Sequence, residues 1–324
     1  MGQIQLRRES HMRKRRKIIP FVIVMCFFVG IKTYAAEKDS VRIIVVLDPG
    51  HGGIDGGASR VYNGVMYIES HINLKIAQYC KEELEQYEGV EVYMTRTDNS
   101  SRPGLTERVD YAESVDADCL VSIHINSSES SGAYGAEVIV PSINYNMVIH
   151  NQSVQMGEMI LSQLSSLGLS NRGTYFRNCT NGKTYPDGSL EDYHTIIIQS
   201  KLRGIPGFIV EHAYISNYSD TMNYLQSEAS LKRLGIADAT AIAEYYGLDW
   251  KNEVSYVVDG IDYSPVIDVD YYLERYPDIN QAFNGNRRKA LNHFIACGMS
   301  EGRQGCAEFD VNSYKLLYGD LRRA

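Results

Sequence analysis

The stretch Val41-Arg42-Ile43-Ile44-Val45-Val46-Leu47-Asp48-Pro49-Gly50-His51-Gly52-Gly53 joins an apolar run to a glycine-rich turn. An apolar run ended by Asp-Pro-Gly indicates a buried strand. Glycines at the carboxyl end of a strand let the backbone approach a ligand closely, which makes His51 a candidate site residue. A phosphate-cradling loop is a weaker alternative, since Asn63-Gly64 makes another turn before any helix begins. A turn histidine without a special role is the other alternative.

Strand-like and helix-like patterns alternate downstream of this turn. Apolar residues at helical spacing predict four helices, and apolar or alternating runs predict four more strands. The predicted helices cover about 72–84, 105–112, 157–167 and 231–245, and the predicted strands cover 90–94, 119–125, 136–140 and 207–210. Such alternation predicts an α/β fold with an open twisted sheet and helices on both faces. We assign residues 42–247 to this domain.

The amino terminus has the pattern of an export signal. Residues 1–35 carry eight Lys or Arg and one acidic residue, then an apolar stretch at 18–31 and the small residues before Ala36. This predicts a signal peptide at 1–35, a linker at 36–41, and a secreted, cell-wall-associated protein, with an uncleaved membrane anchor as the alternative. From Ala36 onward the net charge is −15, which argues against nucleic acid as a partner.

The sequence changes character beyond Trp250. Residues 268–279 are echoed 42 positions later at 310–321, and the second copy is cut short at Ala324. We interpret 265–324 as short tandem repeats, one full and one truncated, after a linker at 248–264. Attachment to wall or surface material is the favoured role, and a structural spacer is the alternative.

Cysteines contribute little to the functional interpretation. Five scattered cysteines follow the signal, without a Cys-x-x-Cys pair, so neither a disulfide framework nor a thiolate zinc site is indicated. Cys80 and Cys119 are predicted core residues, whereas a pairing of Cys297 with Cys306 stays open.

Three further residues deserve comparison with His51. Glu69 begins a predicted helix, His124 ends an apolar strand, and Glu211 follows the apolar 207–210. Each alone is more often structural, as a first-turn acid, a core histidine or a paired carboxylate. Together they form a set of two histidines and two carboxylates, and two His with one Glu is a known catalytic zinc set. The His-Glu-x-x-His helix of many proteases does not occur.

A series of motifs in the right order resembles a known family. The motifs are Asp48-Pro49-Gly50-His51-Gly52-Gly53, the Glu69 helix, Thr95-Arg96-Thr97-Asp98, Leu105-Thr106-Glu107-Arg108, Ser122-Ile123-His124-Ile125-Asn126 and Val210-Glu211-His212-Ala213-Tyr214-Ile215-Ser216-Asn217. They are similar to those of the zinc-dependent N-acetylmuramoyl-L-alanine amidases of bacterial autolysis and sporulation. His212-Ala213 departs from the family's usual Leu-Gly, which concerns local packing or substrate contacts.

The resemblance implies a site and a reaction. His51, Glu69 and His124 would hold Zn²⁺, and Glu211 would be the catalytic carboxylate. The substrate would be peptidoglycan, cut by a zinc-activated water between the lactyl group of N-acetylmuramic acid and L-alanine. Asn126 and Arg172 are expected to contact the substrate. An exported zinc peptidase that cuts within the stem peptide, or an inactive wall-binding module, are the alternatives.

Overall fold

The computed structural model describes residues 42–130, 132–251, 254–283 and 285–317. The predicted signal peptide, the linker at 36–41 and residues 318–324 of the second repeat copy lie outside these ranges. Within them, every helix is too short or too polar to cross a membrane.

The described chain forms ten strands and ten helices. The strands are β1 (Ile43–Pro49), β2 (Ser59–Tyr62), β3 (Val65–Ile68), β4 (Val90–Met94), β5 (Cys119–Asn126), β6 (Ala136–Ile139), β7 (Asn171–Tyr175), β8 (Gly207–Tyr214), β9 (Val257–Val258) and β10 (Ile261–Asp262). The helices are α1 (Glu69–Leu84), α2 (Leu105–Ser114), α3 (Met147–Ser166), α4 (Thr195–Leu202), α5 (Tyr218–Asp220), α6 (Glu228–Tyr246), α7 (Val269–Arg275), α8 (Pro277–Phe283), α9 (Arg287–His293) and α10 (Val311–Leu317), with π-helical turns at Thr221–Leu225 and Phe294–Gly298.

Six strands make one central sheet in the order β4-β1-β5-β8-β6-β7. The first four strands in this order are mutually parallel, while β6 runs antiparallel to β8 and parallel to β7. Val45 and Leu47 of β1 enter the core shared with α1, α3 and α6, whereas Val46 enters the core shared with α2 and α4. Alternate side chains of a strand face opposite sides of a sheet, so both faces are covered. The predicted α/β class is confirmed.

Some elements differ from the sequence prediction. The strand predicted at 207–210 continues to Tyr214, and β2, β3, β7 and α4 were not predicted. The strand β7 has the sequence Asn-Arg-Gly-Thr-Tyr, which lacks the apolar alternation of a strand. The helix α4 contains Ile196-Ile197-Ile198, and such β-branched residues are weak helix formers whose burial here outweighs their propensity.

A smaller second core lies in the carboxyl-terminal region. Tyr272, Leu291 and Phe294 are fully or almost fully buried there, and Val254 contributes to the same core. The segment predicted as a linker at 248–264 therefore includes core packing and the β9–β10 hairpin. The Asp268 and Asp310 side chains each accept a backbone hydrogen bond at the start of a helix, α7 and α10 respectively.

The described cysteines are free thiols. Cys80 and Cys119 are completely buried, as predicted. Cys297 is exposed and Cys306 is buried.

Candidate metal centre

Three parallel strands carry candidate residues to one edge of the sheet. The strands β1, β5 and β8 are parallel neighbours, so their carboxyl ends lie together. His51 follows β1, while His124 and Glu211 are register partners near the ends of β5 and β8. Glu69 is the first residue of α1. Ligand sites of open α/β sheets form at this edge.

Close backbone approaches shape the loop around His51. His51 itself has a φ of 62°, a left-handed conformation that costs free energy for a non-glycine residue. A Cβ added to Gly50 would lie 2.2 Å from the His124 ring, and one on Gly57 would lie 2.6 Å from Glu69 Oε2. Glycine at these positions is therefore needed for the side chains to converge.

His51, Glu69 and His124 converge on one point. Glu69 Oε1 lies 3.2 Å from His51 Nε2 and 2.9 Å from His124 Nδ1, and one donor atom from each residue falls within 4.8 Å of the others. Glu69 Oε2 accepts a hydrogen bond of 2.8 Å from the Ala58 amide, which orients the carboxylate. The structure thus brings together the three residues predicted to bind metal.

Asp55 supports this cluster from behind. Its Oδ1 lies 3.1 Å from His51 Nδ1, the nitrogen on the far side of the ring from Glu69. Burial lowers the pKa of His51, but hydrogen bonds and charges of Glu69 and Asp55 raise it overall. Burial raises the pKa of Glu69, but the hydrogen bonds and charges of His124 and His51 outweigh burial, so the pKa of Glu69 lies well below its usual range. Sequence reasoning missed Asp55, which only its spacing of four from His51 could have indicated.

Two buried arginines hold the loop after β1. Arg108 donates to Asp48 Oδ1 at 2.7 Å and to the His51 carbonyl at 2.8 Å. Arg96 donates to the Pro49 and Gly50 carbonyls at 2.8 and 2.9 Å. Both arginines stand in motifs noted in the sequence, and their part in the site is to satisfy loop carbonyls.

Glu211 is set into a cavity of about 530 Å³ that His51 and His124 also line. Its Oε2 is buried and has no hydrogen-bond partner among the described residues. Burial is the main cause that raises the pKa of Glu211 to about 7. The charge of His124 lowers this pKa, whereas the charges of Glu69 and Glu137 raise it. A carboxyl group with such a pKa can take up and release a proton near neutrality.

His194 also lines this cavity and was not predicted. It precedes α4 at the end of an irregular segment, so no periodic pattern marks it. Burial lowers its pKa, and the charge of His124 acts in the same direction.

The other predicted or considered residues take different positions. Asn126 and Arg172 both donate to the carboxylate of Glu137, at 2.8 and 2.6 Å, and Glu137 was not predicted. His212 lies on the opposite face of β8 from Glu211, where its Nε2 is 2.8 Å from Asp238 Oδ2. His71 is exposed.

Two histidines and a carboxylate gathered beside a protonatable acid are the make-up of a metal-dependent hydrolase. The sequence profile of the N-acetylmuramoyl-L-alanine amidase family matches residues 45–244. The chain belongs to this family, and the predicted resemblance is confirmed.

Individual relatives agree with this assignment. The chain is 31% identical over 183 residues to N-acetylmuramoyl-L-alanine amidase LytC of Bacillus subtilis. These 183 residues are 56% of this chain and 32% of LytC. It is 26% identical over 208 residues to the sporulation-specific N-acetylmuramoyl-L-alanine amidase of the same organism, covering 63% of this chain and 68% of that protein. The solved catalytic domain of CwlV, an N-acetylmuramoyl-L-alanine amidase from Bacillus (Paenibacillus) polymyxa, is 29% identical, with a TM-score of 0.50 over 64% of this chain and 99% of that domain.

Proposed function

We propose that the protein hydrolyses the amide bond between the lactyl group of N-acetylmuramic acid and L-alanine in peptidoglycan, with Zn²⁺ held by His51, Glu69 and His124. The observation that carries the proposal is the convergence of these three side chains beside the buried carboxylate of Glu211. Family membership supports the substrate class.

The site fits a zinc ion in three respects. Two imidazoles and one carboxylate are a ligand set that zinc accepts while an open position is kept. Asp55 contacts the outer nitrogen of His51, as carboxylates do behind metal-binding histidines. Glu211 Oε2 has no hydrogen-bond partner in the part of the chain that the structure describes, so it is a buried acceptor at the cavity for a water or a substrate N–H.

Zinc bound here would supply Lewis-acid chemistry, polarising the scissile carbonyl and lowering the pKa of water. The protein's own residues carry the proton transfers. Glu211 accepts a proton from the attacking water and returns that proton to the amide nitrogen of L-alanine, and its burial at the cavity raises the pKa of its carboxyl group and so favours holding the proton between the two transfers. Protonation of this nitrogen is required because it would otherwise have to leave as an amide anion, which is a very poor leaving group. Asn126 and Arg172 contact the substrate beside Glu211.

The cellular setting is part of the same proposal. Export through residues 1–35 would deliver the enzyme to the wall, where the proposed peptidoglycan substrate lies. Residues 42–247 would form the catalytic domain, and the repeat region 265–324 would attach it to wall or surface material.

Mass spectrometry of products from purified peptidoglycan tests the reaction. Stem peptides that begin with L-alanine, together with glycan carrying intact lactyl groups, are expected. Peptides cut internally would instead identify a peptidase, and stoichiometric zinc without any product would identify a binding module.

Two variants test the assignment of residues. Glu211→Gln should keep zinc and lose at least about 100-fold in kcat, because the proton transfers are removed. His51→Ala should lose zinc as measured by metal analysis. Undiminished turnover in the first variant, or normal zinc content in the second, would contradict the corresponding role.

A further inference from the structure

Glu137 lies directly opposite Glu211 in the antiparallel register of β6 and β8. Directly opposite residues of an antiparallel pair point to the same face of the sheet. The Glu137 side chain therefore shares the sheet face of Glu211, next to the proposed reaction site. Only 8% of Glu137 is exposed, so its carboxylate needs partners within the protein.

Side chains from three other strands supply these partners. Asn126 of β5 donates to Oε1 at 2.8 Å, and the Tyr214 hydroxyl of β8 lies 3.3 Å from the same oxygen. Arg172 of β7 donates through Nε to Oε2 at 2.6 Å. One carboxylate on β6 thus connects side chains from strands on both sides of it.

The two donors noted in the sequence are oriented by these contacts. The guanidinium of Arg172 also lies over the Tyr214 ring, 5.2 Å from its centroid, so both its edge and its face are restrained. Its side chain remains 39% exposed. Asn126 is two residues beyond the metal-binding candidate His124, where the register of β5 and β8 shifts. A fixed donor loses less conformational entropy on binding than a free one.

We infer that Glu137 is a positioning residue for the reaction: it holds Asn126 and Arg172 beside Glu211 in the orientation that binds the substrate. The inference rests on the proposed function. Glu137 balances the charge of Arg172, so this arginine contributes directed N–H donors of fixed orientation. Such donors suit carbonyl and carboxylate oxygens of the stem peptide.

A double-mutant cycle on kcat/KM tests the inference, with zinc-loaded protein and a soluble N-acetylmuramoyl peptide as substrate. Glu137→Ala and Arg172→Ala are each expected to lower kcat/KM about tenfold, mainly through KM, because binding contacts are lost. The double variant should be no worse than Glu137→Ala alone, since Glu137 acts through Arg172. Losses that multiply in the double variant would overturn the inference, as would a normal kcat/KM for Glu137→Ala.

Glu137→Gln keeps the inference testable if the alanine variant does not fold. It retains the acceptor for Asn126 but loses the ion pair with Arg172, so its loss of kcat/KM should be smaller and should disappear in the Arg172→Ala background. Unchanged zinc content and melting temperature would exclude a general structural effect, and the exposed Glu129→Gln provides the matched loss of one charge. A wild-type protein that releases no product would refute the proposed function, whereas an active wild type with additive variants would refute only the role of Glu137.

Discussion

His212 Nε2 lies 2.8 Å from Asp238 Oδ2, and both side chains are completely buried. The other ring nitrogen, Nδ1, lies 3.2 Å from the carbonyl oxygen of His124. Both nitrogens thus face oxygen atoms that can accept hydrogen bonds, an arrangement that favours the imidazolium form of His212, which can donate to each. Burial lowers the pKa of His212, but the charge and hydrogen bond of Asp238 and the His124 carbonyl raise it overall.

Removing one member of this pair should destabilise the protein strongly. His212→Leu leaves the Asp238 carboxylate buried without a partner, and we expect a loss of about 3–5 kcal/mol in the free energy of unfolding. His212→Leu combined with Asp238→Leu should recover most of this loss, because no buried charge remains. Urea unfolding measures both values. Equal stability of the wild type and the single variant would show that the pair is not ionised.

The same pair should make stability depend on pH. A histidine whose pKa is higher in the folded state than its unfolded value of 6.5 contributes its full stabilisation below that value. The contribution is lost as the pH rises through the folded-state pKa. The difference in unfolding free energy between the wild type and the double leucine variant should therefore shrink as the pH rises above 6.5. A difference that grows over this range would contradict the raised pKa.

Gly57→Ala should weaken metal binding in addition to destabilising the fold through backbone strain. Gly57 has a φ of +67°, and an added Cβ would lie 2.6 Å from Glu69 Oε2. Gly182 is a matched control, with a φ of +74° and open space around its added Cβ. Both alanine variants should lose about 1–2 kcal/mol in the free energy of unfolding, because alanine is strained in a left-handed backbone conformation. Only Gly57→Ala should bind zinc more weakly than the wild type in competition with a chromophoric chelator. Equal zinc affinities of the two alanine variants would refute the close approach of the added Cβ to Glu69.

Asp55→Ala should lower zinc affinity although Asp55 is outside the ligand set. Its carboxylate orients His51, and the loss of such an outer partner typically costs about 10–100-fold in metal affinity. Chelator competition measures the effect, with Glu129→Gln as the control for removing an acidic charge from the surface. If both variants bind zinc as tightly as the wild type, Asp55 does not orient His51.

The metal-binding candidates could be predicted because each adjoins an element with a clear pattern. His51 and His124 lie at the ends of apolar strands, and Glu69 starts an amphipathic helix. Parallel neighbours then bring strand ends together. The convergence of the side chains depends on Gly57 and on the positive φ of His51, which apolar periodicity does not encode.

Glu137 and the end of β8 could not be predicted for a different reason. Glu137 lies in a strand of only four residues, β6, which pairs with β8 in antiparallel orientation. This pairing places Glu137 opposite Glu211, 74 residues further along the chain. The strand at 207–210 was predicted to stop where charged residues begin. It continues because His212 finds its partner on α6, in Asp238, and because Glu211 faces the cavity.

Glu211 faces the cavity and His212 faces Asp238 because successive side chains of β8 point to opposite sides of the sheet. Deleting one residue from 207–210 would place His212 at the position that faces the cavity and Glu211 at the core-facing position of Val210. A carboxylate would then be buried in an apolar core, which costs free energy. A shifted strand that disrupts the reaction site would thus also destabilise the fold, so the stability of the protein favours the register that places Glu211 at the cavity.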